Sequence, residues 1–399
     1  MFVGCIGKPS TGKSTFFRAA TLAEAEIANY PFTTISPNEG IAYVKVKCVD
    51  KDFGKKCNPR TGYCLNHNRF VPVRMLDVAG LVPGAHKGLG RGNQFLDDLR
   101  QADVLIHVVD AAGSTNEMGE PVEPGSYDPA DDIKFLEVEL DMWYFGLLKK
   151  VWDKLSRQVV QLQQQTGKAI AKQFSGLGGI TEELVEECME NLNLVKKLHE
   201  WSEKELKNFA SMLRKKTKPI IIACNKVDMP TGKANFDKLK EKFKDYILIA
   251  CSAESELALR EAAKHGLIEY IPGENNFKVL KEEELNEKQK SALDFIKKKI
   301  LDVYGSTGVQ QVLDKAVFEL LKYIAVYPVA NGKLEDKDGN ILPDCLLVPE
   351  NITALEFAYK VHSDIGNGFI KAIDLKTKQI IGKDHMLKNR DVIEIVSKK

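Results

Sequence analysis

An eight-residue segment near the start of the chain, from Gly7 to Ser14, constrains the fold more than any other feature. It reads G-K-P-S-T-G-K-S and fits the pattern G-x-x-x-x-G-K-[ST] of a phosphate-binding loop. Its glycines let the backbone curl so that successive N–H groups point at one phosphate group. The apolar segment 2–6 predicts a buried strand before the loop, and 14–22 predicts a helix after it, whose N-terminus faces the phosphates. The segment therefore predicts the strand–loop–helix unit of a nucleoside triphosphatase.

Within this loop two side chains have distinct predicted roles. Lys13 places a cation against the β- and γ-phosphates and against the charge of the transferring phosphoryl group. Ser14 offers its hydroxyl to Mg²⁺. The predicted phosphate-binding set is Gly7, Lys8, Pro9, Ser10, Thr11, Gly12, Lys13, Ser14 and Thr15.

A second motif, Asp77-Val78-Ala79-Gly80, follows the apolar run 71–76. We expect Asp77, at the end of a strand, to hold Mg²⁺ through a water molecule. We expect the N–H of Gly80 to bond the γ-phosphate, and its missing side chain lets the backbone swing when that phosphate leaves. Taken alone, the same four residues also fit an ordinary turn after a strand. Their assignment to the nucleotide site therefore depends on the other motifs in the chain.

Two further motifs predict the base that is bound. Asn225-Lys226-Val227-Asp228 follows the apolar run 219–224, which is typical of a central parallel strand. The Asp228 carboxylate can accept hydrogen bonds from N1–H and the 2-amino group of guanine, whereas adenine has neither donor and leaves the carboxylate unpaired. This favours GTP over ATP. Ser252 and Ala253 follow a third apolar run, and we expect the Ala253 N–H to face the guanine O6. The predicted base-binding set is Asn225, Lys226, Asp228, Ser252 and Ala253.

Two longer strings carry a resemblance to a known family. Segment 29–38 reads N-Y-P-F-T-T-I-S-P-N, and segment 77–96 reads D-V-A-G-L-V-P-G-A-H-K-G-L-G-R-G-N-Q-F-L. Both resemble the Obg superfamily of GTPases and, within it, the YchF-like branch in its archaeal form. A GTP switch needs a Thr in the first string that closes on Mg²⁺. Thr33 and Thr34 are both candidates, and the resemblance favours Thr34.

The resemblance implies an α/β fold in three parts. These are a P-loop GTPase domain with a mostly parallel, doubly wound sheet, an inserted α-helical coiled-coil hairpin, and a C-terminal β-grasp-like TGS domain. The implied boundaries are 1–127 for the first part of the G domain, 128–217 for the insertion, 218–308 for the second part with connecting helices, and 309–399 for the TGS domain.

Three departures from the family pattern change what is carried over. Many relatives have N-x-x-E and prefer ATP, but this chain keeps N-K-V-D, so an ATP preference is not carried over. Ser10 stands where many relatives have the Asn that helps to bind an activating K⁺, so potassium activation is not carried over either. The string P-S-T-G-K-S is similar to the DRG sister branch, while the long helical insertion favours YchF.

Leu81 bears on the mechanism. Ras-like switches place Gln directly after D-x-x-G to orient the attacking water, and leucine cannot do this. His86 is the nearest residue that can accept or donate a proton, although it also fits a solvent-facing loop residue. A bound partner or a metal ion can also supply the group that positions the attacking water. The predicted catalytic set is Lys13, Thr34, Gly80 and His86, and we expect slow intrinsic turnover.

The helical and C-terminal segments have their own patterns. Apolar residues at helical spacing predict helices over 132–164 and 181–215, joined at the glycine-bearing break 175–179 as an antiparallel hairpin. Strand patterns at 324–329, 369–374 and 391–396 fit a small sheet. The last segments resemble a TGS domain, which implies contact with RNA or the ribosome, although lysines interleaved with acids also fit a solvated face.

Composition bounds the partners and the compartment. Of 399 residues, 57 are Lys or Arg and 56 are Asp or Glu. The net charge is therefore near zero and does not by itself favour binding to nucleic acid or to a membrane. No apolar run approaches a membrane span, and we expect a cytoplasmic monomer. Three interpretations of the cluster Cys48, Cys57, Cys64 and His67 stay open, namely a Zn²⁺ site without any C-x-x-C pair, reduced thiols, or a disulfide.

These observations predict a Mg²⁺-dependent GTPase that hydrolyses GTP to GDP and phosphate and acts as a slow switch on the ribosome or RNA. Two alternatives remain. One is an ATPase of the same fold. The other is a nucleotide-sensing RNA- or ribosome-binding module with negligible turnover.

Overall fold

The computed structural model describes residues 1–22, 38–78, 99–195, 197–330 and 332–398. Its first sheet has the strand order β2-β4-β1-β5-β6-β7, with β3 paired to β4. Strands β4, β1, β5, β6 and β7 run parallel, while β2 and β3 run antiparallel to β4. The strands are β1 (Phe2–Ile6), β2 (Glu39–Lys47), β3 (Tyr63–Leu65), β4 (Asn68–Asp77), β5 (Val104–Asp110), β6 (Ile220–Asn225) and β7 (Ile247–Ala250). The predicted mostly parallel sheet is confirmed.

The parallel strands bury both of their faces, which explains their nearly continuous apolar sequences. In β6, Ile222 and Cys224 lie in the core on one side of the sheet, and Ile221 and Ala223 lie in the core on the other side. This alternation follows from the two-residue period of a strand. Helices pack on both faces, and residues of the C-terminal part, such as Ala325 and Tyr327, join one of the two cores.

The sheet sets the position of the predicted motifs. Asp77, Asp110 and Asn225 each end a parallel strand, and the phosphate-binding loop follows the parallel strand β1. The carboxyl ends of parallel strands meet at the same edge of the sheet, which is where α/β proteins bind ligands. The fold therefore brings segments separated by more than a hundred residues to one edge.

Helix α1 (Lys13–Thr21) follows the phosphate-binding loop, and the helical insertion begins after β5. The insertion comprises α2 (Pro129–Gln161), α3 (Thr166–Phe174), α4 (Glu182–Asn191) and α5 (Glu203–Thr217). Helices α2 and α5 are antiparallel, since Asp141 bonds Arg214 while Lys149, further along α2, bonds Glu203, which lies earlier on α5. The predicted antiparallel hairpin is confirmed for these two helices.

The predicted single helix over 181–215 is wrong. Helix α4 ends at Asn191, and Asn193 adopts a left-handed backbone with φ 52°. Helix α5 begins anew at Glu203, where Ser202 and Glu205 form a reciprocal capping box. The predicted helix over 132–164 also ends early, since Gln163 is left-handed with φ 47°. Such residues interrupt a right-handed helix, and apolar periodicity does not reveal them.

Helices and a short strand pair connect the first sheet to the C-terminal part. They are α6 (Gly232–Lys242), α7 (Ala253–Lys264), β8 (Ile268–Tyr270), β9 (Phe277–Val279), α8 (Glu287–Ile296) and α9 (Val309–Lys315). Helix α8 continues through a π-helical turn, Lys297–Leu301, into Asp302–Tyr304. Helix α9 and the turn that follows pack into the core of the first sheet.

The second sheet has the order β11-β10-β14-β12-β13. Its strands are β10 (Tyr323–Val329), β11 (Leu346–Pro349), β12 (Phe369–Asp374), β13 (Gln379–Ile381) and β14 (Val392–Ser397), with helices α10 (Ala354–Val361) and α11 (Ser363–Asn367). Phe357 of α10 shares one buried core with Val326 and Ile393 of the sheet, so the predicted β-grasp-like unit is confirmed. The domain boundaries stay a prediction. Within the described ranges, every helix is too short or too polar to cross a bilayer.

Candidate nucleotide-binding site

The phosphate-binding loop has the tight backbone that its glycines predict. Gly12 is left-handed, with φ 88°, directly before α1. A Cβ on Gly12 would lie 2.2 Å from Nδ2 of Asn225, and a Cβ on Gly7 would lie 2.6 Å from the carbonyl oxygen of Val108. Ser10 also adopts a positive φ of 63°. The loop therefore has no room for side chains at Gly7 and Gly12, and the strand–loop–helix prediction is confirmed.

Lys13 and Asp77 form an ion pair between Nζ and Oδ1 at the edge of the sheet. They meet because Asp77 ends β4 beside Cys5 of β1, one loop before Lys13 begins α1. The exposed Ser14 follows on the first turn of α1. A hydroxyl and a carboxylate are hard oxygen ligands of the kind that Mg²⁺ prefers. The donor set fits the predicted magnesium position.

Asn225 links three of the predicted motifs through one buried side chain. Its Nδ2 donates to the carbonyl oxygen of Thr11 in the phosphate-binding loop at 2.9 Å. Its Oδ1 accepts the backbone N–H of Ala253 at 2.9 Å. Asn225 is 4% exposed. Sequence reasoning assigned Asn225 to the base, and the structure adds that it holds the phosphate and base loops together.

Lys226 is held by a residue that sequence reasoning missed. Its Nζ donates to Oδ2 of the buried Asp110 at 2.9 Å and to the hydroxyl of Ser114 at 3.2 Å. The same Asp110 oxygen accepts the hydroxyl of Thr115 at 3.0 Å. The signal in the sequence is an acidic residue that closes the apolar strand V-L-I-H-V-V-D. Asp110 thus fixes the aliphatic stem of Lys226 along the loop.

Asp228 and the last base loop complete the base end of the site. Asp228 is half-buried and has no hydrogen bond or ion pair within the described part of the chain. Ser252 is buried, and its hydroxyl lies 2.8 Å from that of Ser255. The Ala253 N–H, predicted to face guanine O6, is engaged by Asn225, and its base contact stays a prediction.

The side chain of Lys8 is bonded to residues outside the phosphate-binding loop. Its ammonium lies 2.8 Å from Asp132 on α2 and donates to the carbonyl oxygen of Thr115 at 2.9 Å. It also lies 3.9 Å from the ring centre of Tyr127, whose hydroxyl donates to Asp132 at 3.0 Å. Burial raises the pKa of Asp132, while Lys8 acts in the opposite direction. Burial, with a smaller effect of Lys8, lowers the pKa of His107 to about 3, so this imidazole is neutral. Lys8 therefore ties the loop to the helical insertion.

Several predicted residues lie outside the described residues: Thr33, Thr34, Gly80, Leu81 and His86. Their roles stay predictions. Pro9 and Ser10 are exposed at the turn of the loop, and Thr15 is half-buried on α1.

Comparison with known proteins identifies the family. Residues 2–135 match the family described as 50S ribosome-binding GTPase. Residues 223–331 match the family described as Obg-like GTPase YGR210-like, G4 motif-containing domain, and residues 331–397 match the TGS domain.

Relatives match along nearly the whole chain. A protein of Methanocaldococcus jannaschii described as an uncharacterized GTP-binding protein is 50% identical, over 99% of this chain and 98% of its own length. The crystal structure of a GTP-binding protein from Pyrococcus horikoshii is 40% identical, with a TM-score of 0.80 and all of both chains covered. The Bacillus subtilis protein named ribosome-binding ATPase YchF is 28% identical, over 98% of this chain and 97% of its own. The chain therefore belongs to the YchF-like branch of the Obg-related GTPases and carries the TGS domain of that branch.

Proposed function

We propose that this protein binds GTP with Mg²⁺, hydrolyses it slowly to GDP and phosphate, and acts as a nucleotide switch on the ribosome or RNA. One observation carries the proposal. The side chain of Asn225 joins Thr11 of the phosphate loop to Ala253 of the last base loop, with Asp228 three residues further on. This arrangement supports a phosphate cradle and a base-reading carboxylate at one edge of the sheet.

The proposed selectivity depends on Asp228. Its carboxylate has no ion pair or hydrogen bond in the described part of the chain, so both oxygens are available to a ligand. Guanine satisfies them with two donors, whereas adenine offers none and leaves a desolvated carboxylate unpaired. A difference of about 1–3 kcal/mol, or roughly 5- to 150-fold in affinity, follows.

The proposed roles at the phosphates rest on Lys13, Ser14 and Asp77. Lys13 would leave Asp77 to meet the β- and γ-phosphates, and the Asp77 carboxylate would then be free to help hold Mg²⁺. Ser14 and Thr34 would hold Mg²⁺ through their hydroxyl oxygens, and the ion would supply positive charge against the phosphates. Gly80 and His86 complete the proposed catalytic set.

The proposed partner is the ribosome or RNA, met through the TGS and helical domains by a cytoplasmic monomer. The proposal is supported by the description of the family matched over residues 2–135 and by the name of the Bacillus subtilis relative. Exposed apolar side chains on the insertion, among them Val195, provide surface for such a contact.

The experiment is titration calorimetry of the full chain with GDP and with ADP in the presence of Mg²⁺. We expect GDP to bind at least about tenfold more tightly, which is about 1.4 kcal/mol. Asp228→Asn should abolish this preference by weakening GDP binding alone. Asp237→Asn on α6 makes the same change of charge at an exposed position and should bind GDP like the wild type. An unchanged GDP affinity in Asp228→Asn contradicts the guanine assignment.

The two alternatives give different results. The name of the Bacillus subtilis relative favours an ATPase. Such an enzyme binds ADP as tightly as GDP or more tightly. A module that only senses the nucleotide binds GDP tightly but releases no phosphate above background in a single-turnover assay.

A further inference from the structure

A cluster of metal-ligand side chains lies outside the nucleotide site. Cys48, Asp50, Cys57 and Cys64 each present one ligand atom, and all four atoms lie within 4.8 Å of one another. Three of these residues are buried and Cys64 is half-buried. The excursion of the chain between β2 and β4 brings them together, because Cys48 follows β2 and Cys64 lies in β3.

We propose that Cys48, Cys57, Cys64 and Asp50 bind one structural Zn²⁺. Four donors satisfy the tetrahedral coordination that structural zinc sites have. Zn–S bonds of about 2.3 Å at tetrahedral angles place neighbouring sulfurs about 3.8 Å apart, which fits inside the observed spacing. Three thiolates select Zn²⁺ over Mg²⁺ or Ca²⁺, which prefer oxygen ligands.

The fourth ligand differs from the sequence candidate. The Nδ1 of His67 lies 3.0 Å from Oδ1 of Asp50, so the imidazole supports the carboxylate. The other oxygen of Asp50 accepts the backbone N–H of Cys57 at 3.1 Å, and the N–H of Lys51 donates to Oδ1 at 2.7 Å. Ligating carboxylates in metal sites are oriented by hydrogen bonds of this kind.

A buried cation lies beside the cluster. The guanidinium of Arg69 is fully buried, and its Nη1 lies 3.4 Å from the sulfur of Cys57. Three thiolates and one carboxylate with Zn²⁺ carry a net charge of −2, of which Arg69 balances one unit.

The position of the cluster gives the metal a structural role. Arg69 also donates to the carbonyl oxygens of Leu342 and Pro343, at 2.8 and 3.1 Å. The backbone N–H of Arg60 donates to Pro343 at 3.0 Å, and Arg390 contacts Asp52 at 3.0 Å. The excursion is thus the surface on which the C-terminal part docks. A bound Zn²⁺ fixes that excursion and, through it, the orientation of the second sheet.

The test uses the full chain without an affinity tag, purified without chelators from cells grown with Zn²⁺. Elemental analysis should find about one zinc per chain, since three thiolates make the site zinc-selective. Cys57→Ser and the double variant Cys57→Ser/Cys64→Ser should lose it. Cys188→Ser, which changes a buried cysteine of α4 outside the cluster, should keep it. His67→Ala should keep the metal but bind it about 10- to 100-fold more weakly in chelator competition.

A second measurement does not depend on the folding of the variants. Wild-type protein stripped of metal and reloaded with Co²⁺ should show the absorption of tetrahedral cobalt bound to thiolates. Wild-type protein that contains no zinc and takes up neither Zn²⁺ nor Co²⁺ would overturn the proposal. So would a disulfide between two of the three cysteines in non-reduced peptide maps, or a zinc content unchanged in the double variant.

Discussion

Replacing Asn225 by Ala tests whether one side chain assembles the nucleotide site. The change removes the hydrogen bond from Nδ2 to the Thr11 carbonyl and the bond that Oδ1 accepts from the Ala253 N–H, each 2.9 Å long. Asn225 is 4% exposed, and Thr11 and Ala253 are 1% exposed. Water therefore cannot readily replace the lost partners, and both loops are left with an unsatisfied polar group.

The expected magnitude follows from these two bonds. A neutral hydrogen bond contributes about 1 kcal/mol net, and a buried group that loses its partner costs about 1–3 kcal/mol. Part of this cost falls on the free protein, where the loops relax. We expect the free energy of nucleotide binding to weaken by about 2–3 kcal/mol, which is roughly a 30- to 150-fold rise in Kd.

The assay is calorimetric titration with GDP and Mg²⁺. Asn225→Asp provides a sharper comparison, because its carboxylate still accepts from Ala253 but faces the Thr11 carbonyl without a donor. We expect it to bind no better than the alanine variant. Asn286→Ala removes the cap of α8, far along the chain, and should leave the affinity unchanged. A GDP affinity of Asn225→Ala within twofold of the wild type would refute the reasoning.

Three further predictions concern other parts of the molecule. Lys13→Ala should nearly abolish binding or turnover of the triphosphate. The control Lys240→Ala, at an exposed site of α6, should leave both unchanged. Normal phosphate release by Lys13→Ala would show that the phosphate-binding loop is misassigned. Asp132→Asn removes the carboxylate partner of the buried Lys8 ammonium, which costs about 3–5 kcal/mol, so the thermal midpoint of this variant should fall. The double variant Lys8→Met/Asp132→Asn should regain most of that loss. Equal thermal midpoints in the single and double variants would contradict this expectation. Burial raises the pKa of Asp314 from 3.8 to about 7, so the folded protein keeps a proton that the unfolded chain releases. This stabilisation is fully present below about pH 4 and is lost as the pH rises through about 7. Asp314→Asn should flatten the thermal midpoint between pH 5 and 8 relative to the wild type, and parallel pH curves for the two proteins would exclude the assignment.

Much of the fold was predictable because its signals are local. A glycine with positive φ, such as Gly12, and a run of apolar residues before it depend on backbone sterics and on burial of one short strand. The mostly parallel, doubly wound class of the first sheet was implied by the family resemblance. The helix breaks at Gln163 and Asn193 were not predicted, since left-handed residues other than glycine have no strong sequence signature.

The candidate site was predictable at the level of residue types but not of contacts. Asp228 and Lys13 were identified because base and phosphate chemistry requires a carboxylate and a cation at those spacings. The support of Lys226 by Asp110 was missed, because 116 residues separate the two. Lys8 was assigned to phosphate, but its side chain bonds Asp132, which is 124 residues away.

The sequence by itself determined the phosphate loop, the base-reading motif and the class of the two sheets, because each depends on residues that are neighbours along the chain. The tertiary structure alone decided which side chains meet. Asn225 reaches Thr11 across 214 residues, and Asp50 rather than His67 joins the three thiols. The physical reason is that such contacts depend on how whole strands and turns pack. The short turn Asp50–Phe53 after β2 places the Asp50 carboxylate in the cluster, and the His67 imidazole lies against that carboxylate.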